Sequence, residues 1–103
     1  MTDFYFKIFN TTWTVSFIDN FSKEVKEDEL KLGDTNNETK QIRIATKTTD
    51  GNILPENNIK LTLLHEMIHA ILDTGQYCNA SNDEPLVEWL ANCLYSLKEQ
   101  NKL

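Results

Sequence analysis

The sequence predicts an α+β fold, with a small N-terminal antiparallel or mixed β-sheet packed on two C-terminal helices. Three observations predict it. Residues 4–46 contain segments of alternating apolar and polar side chains, rich in aromatic and β-branched residues. Residues 56–74 and 83–98 carry apolar residues at helical spacing instead. The strand-like segments all precede the helical ones, so the pattern is not an alternation of strands and crossover helices.

The elements follow in order. Phe4 to Phe9 and Trp13 to Ile18 read as strands, with Asn10-Thr11-Thr12 as the turn between them. Val15 and Phe17 alternate with Thr14 and Ser16, which sets one buried and one wetter face. Residues 19–29 are polar and read as a loop or a short exposed helix, with the acidic run 24–29 as a solvated face. Leu30 and Leu32 lead into Gly33-Asp34, and residues 34–40 read as a turn or irregular loop. Gln41 to Thr46 alternates again, so Ile42 and Ile44 should face inward. Asp50-Gly51-Asn52 is a turn signal.

Pro55 suits the first turn of a helix, where its missing N–H costs nothing, and Glu56 favours the helix dipole. From Ile59 to Leu72 the helix is apolar on almost every side, as expected of one buried mid-domain. Gly75 is a natural C-terminal cap. After a loop at 76–82, a last helix starts near Asn82 or Asp83, with Pro85 in its first turn. Leu86, Leu90, Leu94 and Leu97 form its expected core stripe. Trp13, Trp89 and the N-terminal aromatics read as packing residues.

Bulk properties narrow the class. A chain of 103 residues suits one domain, 1–103, and apolar and charged shares of 40% and 25% are those of a soluble globule. A net charge of −6 argues against a nucleic-acid partner and, more weakly, against an anionic membrane. The first residues show no basic region before a long apolar run, so no signal peptide is expected, and no apolar run approaches the roughly 18–20 residues of a membrane span. Cys78 and Cys93 are expected as reduced thiols, which places the chain in the cytoplasm.

The chemistry concentrates in His65-Glu66-Met67-Ile68-His69, an HExxH pattern. Four residues apart on a helix, His65 and His69 project from one face and can grip one cation. Glu66 lies about 100° round from His65, where it can reach a metal-held water but cannot complete the same ligand set. Zinc in a catalytic site needs a third protein ligand and an open fourth position. The chain has no further histidine, so a carboxylate or thiolate must serve. The candidates are Asp73, Cys78, Asp83, Glu84, Glu88 and Cys93. Glu88 is favoured, because it falls mid-helix among Leu86, Val87, Trp89, Leu90 and Ala91, where a carboxylate wants a partner. Glu84 is its rival. Asn92 and Tyr95 share the face of Glu88 and are candidates to support it.

This spacing resembles the gluzincin metallopeptidases. The stretches Thr62 to Leu72 and Val87 to Asn92 resemble small phage and bacterial domains of the immunity-peptidase (ImmA/IrrE-like) group, and Gln41 to Ile44 resembles the edge strand before the metal helix there. The likeness covers roughly residues 33–97. It implies a minimal zincin-like fold, a Zn²⁺ cofactor on His65, His69 and Glu88, and Glu66 as general base. With no third histidine, a transition-state donor would be Tyr77, Tyr95 or neither.

The resulting expectation is a zinc-dependent peptidase acting on a peptide or protein substrate, which would add as a strand beside residues 41–46. The alternative is a zinc-binding module that recognises a protein without cleaving it. A phage regulatory protein that cleaves or displaces a repressor is what the resemblance adds.

Overall fold

In the computed structural model, residues 1–26 and 30–103 are described, so the end of the segment read as loop or short helix, 27–29, lies outside the described residues. Strands β1 (Phe4–Ile8) and β2 (Thr11–Ile18) form an antiparallel hairpin closed by Phe9-Asn10. The turn therefore comes earlier than Asn10-Thr11-Thr12, and both threonines belong to β2. So short a loop demands a left-handed residue, and Phe9 supplies it at φ 52°.

The segment 34–40, expected as a turn or loop, is in part a strand. β3 (Gly33–Asn36) pairs antiparallel with β4 (Gln41–Ala45), and Lys40 takes φ 56° in the turn between them. β4 also pairs in parallel with β2, Thr14 opposite Gln41 through Ile18 opposite Ala45. The sheet is therefore mixed, in the order β1-β2-β4-β3. This corrects one expectation. β4 has neighbours on both sides and cannot accept a further strand; the free edge beside the helices is β3.

Helix α1 (Glu56–Thr74) runs between the sheet and helix α3 (Glu84–Glu99). Its Ile59, Leu63, Met67 and Ala70 join Trp13, Val15, Ile42 and Ile44 in one core. Its Leu61, Leu64, Ile68 and Leu72 join Val87, Leu90, Ala91 and Leu94 in a second. Burial on two sides is why α1 is apolar nearly all round. The Trp13 indole is fully buried, and its Nε1 donates to Thr74 Oγ1 at 2.9 Å, tying β2 to the end of α1.

Several side chains differ from expectation. Phe21, within the polar stretch after β2, is a core residue, roofed by Lys31 and Arg43 at 4.8 and 5.0 Å from its ring centre. On α3 the inward stripe is Val87, Leu90, Ala91 and Leu94, while Leu86, Leu97 and Trp89 are exposed. The helix is turned so that the face toward α1 also presents Glu84 and Glu88 to His65.

The loop expected at 76–82 contains a short helix, α2 (Cys78–Ser81). Before it, α1 ends in a Schellman motif: Tyr77 N–H donates to Leu72 O at 2.8 Å and Gln76 N–H to Asp73 O at 3.1 Å. Gly75 is the C-cap in right-handed conformation, and the left-handed residue is Gln76 at φ 64°. No helix among the described residues is long and apolar enough to cross a membrane.

Candidate metal centre

The site is built from three elements. α1 presents His65 and His69 from one face, their ring centres 5.0 Å apart. α2 brings Ser81, and α3 brings Glu84 and Glu88. Asp83 caps α3 by accepting from Leu86 N–H at 3.2 Å, which starts the helix so that its first turn points at α1.

Both histidines are anchored through Nδ1. His65 Nδ1 lies 2.8 Å from Glu88 Oε2, and His69 Nδ1 lies 3.0 Å from Ser81 Oγ. That leaves both Nε2 atoms facing one carboxylate: Glu84 Oε2 is 3.0 Å from His65 and Glu84 Oε1 is 3.0 Å from His69. Ligand atoms of His65, His69 and Glu84 all lie within 4.8 Å of one another. Two imidazole nitrogens and a carboxylate suit a divalent transition metal such as zinc, and fixed Nδ1 partners are what orient metal-ligating histidines. The donor set therefore fits the ion.

Glu88, favoured for this set on sequence grounds, stands instead on the far side of His65. It is also half-exposed, at 54% of its side chain, so the argument from a buried, unpaired carboxylate does not apply to it. Asn92 Nδ2 donates to Glu88 Oε1 at 3.1 Å and holds it in place. Asp73 and Cys78 line the cleft, but neither they nor Asp83 or Cys93 join the cluster. Tyr77 and Tyr95 do not line the cleft on either side of the site. Ser81 carried no sequence signal; only the fold shows that this buried hydroxyl meets His69.

Glu66 points the other way round α1, toward β3. It is 7% exposed and accepts a hydrogen bond from Thr35 Oγ1 at 2.7 Å. Burial pushes its carboxyl above the ordinary range, and Glu84 adds to the rise; Thr35, His65 and His69 pull against it. β3 comes this close because residue 33 has no side chain: a Cβ there would lie 3.1 Å from Glu66 Cγ.

Asp34 and Arg43 hold β3 from its other face. Arg43 Nε donates to Asp34 Oδ1 at 3.0 Å, its second terminal nitrogen pairs with Oδ2, and Lys31 Nζ sits 3.1 Å from the same oxygen. Burial pushes the Asp34 carboxyl up, but these hydrogen bonds outweigh it and hold its pKa below the ordinary value.

Two hollows flank the centre along the β3 edge. One, of about 610 Å³, includes Thr35, His69, Asp73 and Glu84. The other, of about 420 Å³, includes Leu30, Leu32, Leu61 and Thr62. Gly33, His65 and Glu66 line both, so the pair forms a groove that crosses the histidines.

No protein-family model, curated protein or solved structure matches this chain.

Proposed function

We propose that the chain is a zinc-dependent peptidase of minimal zincin-like form, with His65, His69 and Glu84 as ligands and Glu66 as general base. The observation that carries this reading is the convergence of two Nδ1-anchored histidines on Glu84. Glu88 then acts as a positioning residue, accepting the Nδ1 proton of His65 and fixing which nitrogen faces the ion. Ser81 does the same for His69.

A bound Zn²⁺ would supply Lewis acidity, lowering the pKa of a coordinated water and polarising a peptide carbonyl. Glu66 takes the proton of the attacking water and passes it to the leaving amine. Thr35 orients the carboxylate for that transfer through the 2.7 Å hydrogen bond. The free edge of β3 receives the substrate as an extended strand, and the groove on either side takes its side chains. A cytoplasmic location belongs to the same reading, in which Cys78 and Cys93 work as free thiols.

The test is zinc content and peptide hydrolysis on the same preparations. Glu84→Ala should lose zinc on desalting, and Glu88→Ala should bind it roughly 10- to 100-fold more weakly. Zinc lost with Glu88→Ala but kept with Glu84→Ala would exchange the two roles. Glu66→Gln should keep zinc and lose hydrolysis.

One observation favours a second reading, a zinc-binding recognition module. Neither Tyr77 nor Tyr95 reaches the cleft to stabilise a transition state. Zinc-loaded protein that binds extended peptides, yet leaves a diverse peptide library intact, would select that reading.

A further inference from the structure

We propose that two copies of this chain pair antiparallel through β1, with Tyr5 on the two-fold axis and the two sheets joined into one. β1 is the second free edge of the sheet, on the side away from the metal centre.

The hairpin geometry says which backbone groups are free. Ile8 and Thr11 close the two-residue turn and form a hydrogen-bonded pair. Bonded pairs alternate along an antiparallel ladder, so Phe6 with Trp13 and Phe4 with Val15 are bonded too. The N–H and C=O of Tyr5 and Lys7 therefore point away from β2, an unpaired row ready for another strand.

The side chains then choose one register. A two-fold pair is self-complementary, so whatever one copy offers must match the same segment reversed. With Tyr5 opposite the partner's Tyr5, Asp3 falls opposite the partner's Lys7, and Lys7 opposite the partner's Asp3. Sliding by two residues puts Lys7 opposite Met1 one way and Tyr5 the other, neither of them a carboxylate, and sliding further puts Lys7 against Lys7 or Asp3 against Asp3. Among the described residues the ion pairs do not include Lys7, whereas Asp3 uses one oxygen to accept from Phe17 N–H at 2.9 Å.

On the opposite face, the same register sets Phe4 against the partner's Phe6. Phe4 is 39% exposed and already stacks with Phe6 and Phe17, at ring-centre distances of 6.5 and 6.2 Å. Pairing would extend that aromatic cluster and cover it. Phe9 is an independent sign. It is 93% exposed in a left-handed conformation that bulky residues rarely adopt, and in this register it lies beside the partner's Met1, itself 62% exposed.

So short a ladder buries less than a standard interface, and the expected Kd is on the order of 10–100 µM. The experiment is sedimentation of the full chain up to about 1 mM, with cysteine cross-linking in a Cys78→Ser, Cys93→Ser background. Wild type should dimerise, and Lys7→Asp should weaken the dimer at least about tenfold, with Asp3→Lys added to it restoring association. Tyr5→Cys should oxidise rapidly to a covalent dimer, since bonded pairs place Cα atoms about 5.5 Å apart, within disulfide reach. Lys7→Cys should not, because its two copies would stand about 13 Å apart. Wild type that stays monomeric at about 1 mM, or Lys7→Cys cross-linking as fast as Tyr5→Cys, overturns the proposal.

Discussion

Gly33→Ala tests whether close approach of β3 is what shapes the surroundings of Glu66. A Cβ at position 33 would lie 2.9 Å from Thr62 Cγ2, 3.1 Å from Glu66 Cγ and 3.2 Å from Glu66 Oε2. None of these can move cheaply. Thr62 Oγ1 donates to Asn58 O at 2.9 Å, and Glu66 is buried and held by Thr35. β3 must therefore rise off α1. Overpacking of this kind costs about 1–3 kcal/mol. Gly33 has no left-handed backbone, so alanine returns about 0.4–1 kcal/mol by stiffening the unfolded chain. From the middle of both ranges, the net expectation is a loss of about 1.3 kcal/mol, or roughly 5–10 °C in Tm for a domain of this size. Urea denaturation of metal-free protein measures it. Adding Thr62→Ser removes the nearest carbon and keeps the hydroxyl, so the double variant should recover at least about 0.5 kcal/mol. A Gly33→Ala protein as stable as wild type, with no coupling to Thr62→Ser, would refute the reasoning.

Three further predictions follow from other residues. Gln76→Gly should stabilise the fold by about 0.5–1 kcal/mol, because it relieves a left-handed residue at the end of α1; thermal unfolding reads the gain. Glu66 has a raised folded pKa, so its ionised form opposes folding: stability is fully present below the unfolded value and falls as pH rises through the folded one. Metal-free Glu66→Gln should accordingly melt higher than wild type at neutral pH and converge with it in acid. Asp34 has the opposite sign, its pKa being depressed by Arg43 and Lys31. Arg43→Met should cost about 1 kcal/mol at neutral pH, and the difference should shrink as pH falls through the folded pKa of Asp34, below its ordinary value.

The parts of the fold legible in the sequence are those whose burial leaves a periodic trace. Ile42 and Ile44 are fully buried where alternation puts them inward, and α1 starts after Pro55 and ends at Gly75. β3 was not legible because Gly33-Asp34-Thr35-Asn36 contains no apolar residue. It is a strand because its backbone pairs with β4 and because Arg43, Lys31 and Glu66 hold its side chains. Lys31 and Arg43 are near in sequence but show no period, and Glu66 lies 31 residues from Thr35, so no apolar alternation marks the strand. Phe21 was hidden similarly: a lone aromatic in a polar stretch has no period, yet it joins the main core, with Lys31 and Arg43 over its ring.

The proposed ligand set shows a sharper limit. HExxH is legible because both histidines lie on one helix and their spacing alone puts them on one face. The third member, a carboxylate, comes from another helix, and Glu84 and Glu88 are four residues apart there, so they share a face just as the histidines do. Periodicity cannot separate two residues one turn apart. What separates them is the axial offset between α1 and α3, fixed by the packing of Val87 and Ala91 against Ile68 and by the start of α3 at Asp83. That offset sets Glu84 level with both Nε2 atoms and Glu88 level with Nδ1 of His65 alone. Sliding α3 by one turn would bring Glu88 to the place of Glu84, and Asn92 to that of Glu88, without changing a residue. Burial does not favour Glu88 over Glu84 either. Half-exposed carboxylates pay little desolvation, so neither glutamate needs a metal to be tolerated, and only convergence of the nitrogens on Glu84 distinguishes them.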